Sequence, residues 1–268
     1  EIQGRENIFV VYSQLTKLPY VTCGEETYND QVWLFADEEK VKAFGKEKAK
    51  EKIVLMAMRY EKKDFPRMYG LLFSIGANSV IWNREDEQIE IDLERIVRKP
   101  DLDKMEPAKR PLINPTLQLS GIYFMQELRR PLTQEERKEK NINLRELEEE
   151  LLANLNKAEF LVAMEPNPED PKKINIPYLK NKDDKILQPV FSDVMEFEKF
   201  AKGRKLRLAK VPFKRLPDIL INQAEALVIN PMGFNLILDR VQLGKILGIQ
   251  IPPMSSPEQA PAQADTPA

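Results

Sequence analysis

The side chains best placed to do chemistry are cations. Lys199, Lys202, Arg204, Lys205, Arg207, Lys210, Lys214 and Arg215 occur with no Asp or Glu between positions 199 and 215. If residues 205–208 form a strand, the two-residue period puts Lys205 and Arg207 on one face and Leu206 and Leu208 on the other. Neighbouring cations on one face attract an anion, either a phosphate or an acidic protein surface. Phe200 and Phe213 are the only aromatics in the stretch, too few for base stacking, so nucleic acid is not the expected partner. The candidate partner-binding residues are therefore Lys202, Arg204, Lys205, Arg207 and Lys210, facing an acidic protein. Against this stands the plain alternative, a solvated basic edge that discourages strand aggregation.

Other chemistries are removed by counting. The chain has no histidine, which excludes Ser-His-Asp and Cys-His catalysis, histidine bases and histidine metal ligands. A single cysteine, Cys23, falls short of any zinc-finger spacing and reads as an incidental or buried thiol. Neither GxGxxG nor GxxxxGK[ST] occurs, so no phosphate loop is expected. Asp37, Asp193, Asp92 and Asp239 recur at matched places and look like an acid/base set. Each, however, precedes a helix, where an anion serves as a cap. Arg129 and Arg130 have the fork geometry of a carboxylate clamp, but in so charged a chain internal salt bridges are the expected use. Trp33 and Trp82 fall in apolar runs and read as packing rather than ligand stacking. The expectation is a protein without catalytic residues, cofactor or metal, and an enzyme here would have to rely on carboxylates, Lys or Tyr.

The elements that would position these residues come in two sets. Val32-Trp33-Leu34-Phe35-Ala36-Asp37 parallels Gln188-Pro189-Val190-Phe191-Ser192-Asp193, and Phe35/Phe191, Asp37/Asp193 and Phe44/Phe200 share one offset. Each segment reads as an apolar strand, a cap and an amphipathic helix. Further on, residues 78–83 parallel 225–230, and residues 89–92 parallel 236–239, with Asn83/Asn230 and Asp92/Asp239 at a second shared offset. In the second set, Asn230-Pro231-Met232-Gly233 joins the last two strands with turn chemistry, Pro presetting φ and Gly accepting a positive one. Residues 8–12 and 160–164 supply first strands, 17–22 and 174–179 second strands, and 53–56 and 206–211 central strands. Helix-like stretches follow at 65–75 and 213–223, and short closing helices at 92–97 and 239–247. The predicted fold is α/β with a mixed sheet: two tandem, divergent copies of a β-β-β-α-β-α-β-β-α unit, packed as a pseudo-dimer, at residues 1–99 and 157–250.

Residues 100–156 form the predicted connector. Prolines at 100, 107, 111, 115 and 131 interrupt it, and residues 117–125 read as a strand with a bulge at Gly121. Thr133 with Glu136 and Asn143 with Glu146 resemble capping boxes, and Leu144, Leu147, Leu151, Leu152 and Leu155 make a helical stripe that covers a sheet edge or the other copy. Residues 251–268, rich in Pro and Ala without Lys or Arg, have the composition of a disordered tail. No apolar run reaches the ~18 residues of a membrane span, and no signal peptide is evident at the N-terminus. At 268 residues, 42% apolar and 31% charged with a net charge of −2, two soluble domains are expected.

The second copy resembles a known family. Pro189-Val190-Phe191-Ser192-Asp193, a helix with Phe197 and Phe200, then Ala226-Leu227-Val228-Ile229-Asn230-Pro231-Met232-Gly233 before Leu236-Ile237-Leu238 is similar to the SseB family, named for enhanced serine sensitivity. The first copy matches only in outline. The resemblance implies a bacterial, cytoplasmic protein without an assigned reaction, and it transfers no catalytic residue. The expected function is a protein-interaction or regulatory module using the basic strand region; the alternative is a small-molecule binder or weak enzyme with a site between the copies.

Overall fold

The computed structural model describes residues 2–85, 87–99, 101–106, 109–167 and 174–254. The predicted tail at 255–268 lies outside the described residues. Strand β1 (Asn7–Ser13) is apolar at almost every position because both of its faces are covered. Ile8, Val10 and Tyr12 enter one cluster, and Phe9 and Val11 another. It lies between β4 (Leu55–Glu61) and β3 (Asp30–Phe35), antiparallel to both. Beyond β3 come β5 (Ser79–Arg84), parallel to it, and β6 (Glu87–Asp92), while short β2 (Val21–Cys23) pairs with β3. Helix α1 (Glu38–Lys50) covers Phe35, whose ring centroid is 5.3 Å from that of Phe44. Helix α2 (Phe65–Ser74) and the single turn α3 (Leu93–Ile96) cover the opposite face.

After the connector, β7 (Glu159–Pro166) pairs antiparallel with β11 (Arg207–Pro212) and, through a Leu161–Phe191 bridge, meets the end of β10 (Ile186–Val190). Strand β10 runs parallel to β12 (Ala226–Ile229), which is antiparallel to β13 (Leu236–Asp239). The order β11-β7-β10-β12-β13 thus repeats the order β4-β1-β3-β5-β6 with the same sense at each pairing. Helix α7 (Val194–Ala201) lies over Phe191, with the Phe191 and Phe200 rings 5.1 Å apart, and α8 (Arg240–Leu247) closes the half behind an Asp239 capping box. Burying a side chain such as Phe191 fully contributes about 1.5–3 kcal/mol.

Several expectations are corrected. Residues 117–125 are not a strand but the middle of α4 (Pro115–Arg129). An apolar run cannot by itself distinguish a strand from a buried helix, and Pro115 in the first turn favours the helix. Gly121 is where this helix meets the second half: a Cβ there would lie 3.0 Å from the buried Phe234 ring. Residues 213–223 hold only a 3-10 segment, Phe213–Ile219, because Pro217 inside it has no N–H to give. The predicted second strand at 174–179 splits into β8 (Ile174–Asn175), paired with β7, and β9 (Leu179–Lys180), paired with β10. In the connection after β12, the positive φ values belong to Asn230 (49°) and Asn235 (52°), not to Gly233. Gly233 is needed instead for space, since a Cβ would stand 2.6 Å from a Glu196 carboxylate oxygen.

The connector contributes α4, α5 (Gln134–Glu139) and α6 (Leu144–Lys157). Thr133 and Glu136 form the predicted capping box; Asn143 caps α6 by accepting from the Arg145 and Glu146 N–H groups. Leu151 and Leu155 of the α6 stripe are buried, and the helix packs on α4. One continuous cluster of buried apolar side chains runs from Ile8, Leu34 and Trp82 through Leu117 and Ile122 to Phe160, Leu227 and Phe234. Helix α4 is its middle layer.

Candidate functional site

The predicted cations gather at one edge of the second half. Helix α7 ends at Ala201; Lys202 and Gly203 both take left-handed backbone (φ 47° and 81°), which turns the chain towards β11. Arg204 lays its guanidinium 4.9 Å over the Phe200 ring and donates Nε–H to the Ala201 carbonyl. Strand β11 begins at Arg207, so Lys205 precedes the strand and the expected shared face with Arg207 is not formed. Leu206 packs against the cluster under α7, while Leu208 is 39% exposed. Lys202, Arg204, Lys205, Arg207 and Lys210 are all exposed. Lys210 donates to the Arg110 carbonyl at 3.2 Å. Lys199 is paired with Glu196 and Arg215 with Asp218, whereas none of the five candidate residues has an acidic partner among the described residues.

The backbone of β11 is open on the same side. Among the described residues it pairs with β7 alone. Phe213 donates to the Ala158 carbonyl at 3.0 Å, one step beyond the Pro212–Glu159 pair. In an antiparallel ladder bonded and non-bonded pairs alternate, so Val211, Ala209 and Arg207 turn their backbone groups towards β7. Leu208 and Lys210 turn theirs outward. The phase agrees with Leu161, the residue opposite Lys210, which exchanges both of its backbone bonds with Phe191 on the far side (2.8 and 3.0 Å).

Behind α7 lies a buried polar joint that the sequence reading did not find. Asn230, next after β12, accepts from the Ser192 N–H at 2.9 Å and donates to Ser192 Oγ at 2.8 Å. Ser192 Oγ in turn donates to Asp193 Oδ2 (2.8 Å), which also accepts from Gln118 Nε2 of α4 (2.6 Å). The other Asp193 oxygen caps α7 at the Glu196 N–H. Glu196 itself is buried, ion-paired with Lys199, and leaves Oε2 without a partner, as does Gln118 Oε1. Burial pushes the Glu196 carboxyl above its ordinary value, opposed by Lys199 and reinforced by Asp193. The signal available in the sequence was Gln118 inside an apolar run.

The remaining candidates have structural employment. Asp37, Asp193 and Asp239 cap helices as expected, but Asp92 makes no side-chain cap and pairs with Arg95 at 3.3 Å. Arg130 is buried and pairs with Glu127 and Glu51, whereas Arg129 departs from the expected salt bridge: it donates to the carbonyls of Leu15 and Asn235, one in each half. Trp82 is buried, and Trp33 stacks on Phe44 at 4.6 Å. Cys23 is exposed rather than buried; partial desolvation of its thiol, with Asp30 nearby, raises its pKa, which disfavours a nucleophilic thiolate. Two open clefts, of about 910 and 810 Å³, are each lined by the connector and one half: the first by Phe73, Arg98 and Ile113, the second by Leu128, Leu152 and Ile237. No cluster of His, Cys, Asp and Glu suited to a metal ion occurs among the described residues, and no helix among them is long and apolar enough to cross a membrane.

The model of the SseB protein N-terminal domain matches residues 142–244, from the lead into α6 to the middle of α8. No curated protein and no solved structure matches the chain.

Proposed function

We propose that this chain, in which residues 142–244 match the SseB N-terminal domain model, is a non-catalytic interaction module that binds an acidic protein surface at the β11 edge. The observation that carries this reading is the coincidence, on one edge, of exposed cations and a backbone that have, among the described residues, neither acidic partners nor a second paired strand. Arg207 and Lys210 flank peptide groups that are open among the described residues. The common strand order of the two halves supports the reading of two divergent copies that form one rigid platform. The setting proposed is the bacterial cytoplasm, on the strength of the family resemblance. Neither open cleft is lined by both halves, which weighs against the alternative of a small-molecule site between them.

The test is affinity purification at low salt from bacterial lysate, comparing the unaltered protein with a Lys205→Glu/Arg207→Glu double variant whose melting temperature is unchanged. An acidic protein retained by the first, lost by the second and released by added salt is the expected result. Identical eluates from the two would overturn the basic-edge reading. A metabolite that raises the melting temperature by mass action would favour the small-molecule alternative.

A further inference from the structure

The β11 edge defines how a partner would sit on it as well as its charge. We infer that β11 accepts an extended acidic segment as an added antiparallel strand; this rests on the interaction reading above and gives its geometry. Among the described residues, Leu208 and Lys210 each present outward an N–H and C=O without a backbone partner, and Pro212 presents a carbonyl with no N–H. The row is bounded by Pro212 at one end and by the Lys202-Gly203 turn at the other, so it fits a short segment. Backbone pairing of this kind supplies affinity while alternate side chains supply choice.

The side chains state what the segment must carry. Leu208 and Lys210 share one face of β11, and Arg207, Ala209 and Val211 share the other. An incoming strand therefore meets a cation at 210, a half-exposed leucine at 208 and a cation at 207. The complementary order, read antiparallel, is acid, small or polar, apolar, acid. Opposite charges directly across a pair of strands stabilise it, and like charges destabilise it, so a basic segment is rejected at the same positions.

The first half provides an internal control. Gln14 donates to the Val54 carbonyl and Lys62 to the Glu6 carbonyl, which fixes the phase of the β1–β4 ladder and leaves Ala57 and Arg59 facing outward on β4. That edge is also unpaired among the described residues, but Arg59 is already held by Glu61 at 3.0 Å and its neighbours Met56 and Met58 are apolar. Strand addition driven by generic edge stickiness would protect both edges; the inference requires protection at β11 alone.

The probe is the synthetic peptide acetyl-Thr-Glu-Thr-Val-Glu-Glu-amide, added to the full chain. Amide hydrogen exchange is followed residue by residue, and affinity is measured at two salt concentrations. The expected result is slower exchange at Leu208 and Lys210, unchanged exchange at Ala57 and Arg59, and binding weakened about tenfold by N-methylating the peptide at the first Glu and the Val, the positions opposite 210 and 208. If the N-methylated peptide binds as well as its parent, the added strand is overturned while the charge reading stands. If a peptide with Gln in place of Glu binds equally well, the charge reading falls too. Failure of every peptide to slow exchange at Leu208 and Lys210 overturns the inference, and the lysate experiment with the charge-reversed variant then judges the wider reading on its own.

Discussion

Glu196 is a carboxyl group enclosed by Lys199 and Asp193 on its own helix, Gln118 on α4 and Gly233 in the turn, with the Tyr12 hydroxyl near enough to feel its charge. Burial dominates and raises its pKa, so the folded state holds the proton more tightly than the unfolded chain does. Stability from this source is complete below the ordinary Glu range and is lost as pH rises through the raised value. Glu196→Gln is therefore expected to match the unaltered protein in acid and to exceed it in stability at higher pH. Urea denaturation across the pH range checks this, and a constant difference at every pH would rule the explanation out. Of this joint, sequence reading reached Asp193, because a cap obeys a local rule. It missed Glu196 and Gln118, whose partners come from distant elements. The cations were found by their run, but Lys205 was misplaced because strand onset depends on where the Lys202-Gly203 turn releases the chain.

At the scale of elements, α4 is the instructive failure. Its residues are buried on most sides, polar Gln118, Ser120 and Gln126 included, because the helix is covered by both halves, and this erases the helical period that revealed α1 and α7. Gly121, read as a bulge, is a close approach of helix and ring. Gly121→Ala is expected to lower stability by about 1–3 kcal/mol, since the Phe234 ring is enclosed and has little room to move. Thermal denaturation measures the loss; a value within ~0.5 kcal/mol of zero would show that the contact yields easily. Where burial was one-sided or capped by local chemistry, as at Thr133-Glu136 and Asp239-Gln242, element ends were legible.

For the whole molecule, the matched strand orders came from matched motifs, whereas the joining of the halves did not. Asn114 and Gln118 fasten one end of α4 to the second half, and Tyr123 and Gln126 fasten the other end to the first. With the apolar core continuous through this helix, unfolding is expected to be a single cooperative step. Trp33 and Trp82 both lie in the first half, so tryptophan fluorescence reports that half while far-ultraviolet circular dichroism reports all elements. Coincident urea transitions by the two probes are the expected result, and separated ones would divide the molecule into independent parts.

The position of α4 has a bearing on how the chain is made. During synthesis the strands β1 to β6 leave the ribosome with α2 and α3 on the face carrying Ile8, Val10 and Trp82, and its cover is incomplete until α4 follows. The Gln126 bonds to both backbone groups of Val21 then let this helix close the first half at once. Its Gly121 side, however, stays bare until Phe234 emerges more than a hundred residues later. For that interval the nascent chain displays the surface on which its own second half will dock, and a neighbouring chain's second half carries the same Phe234.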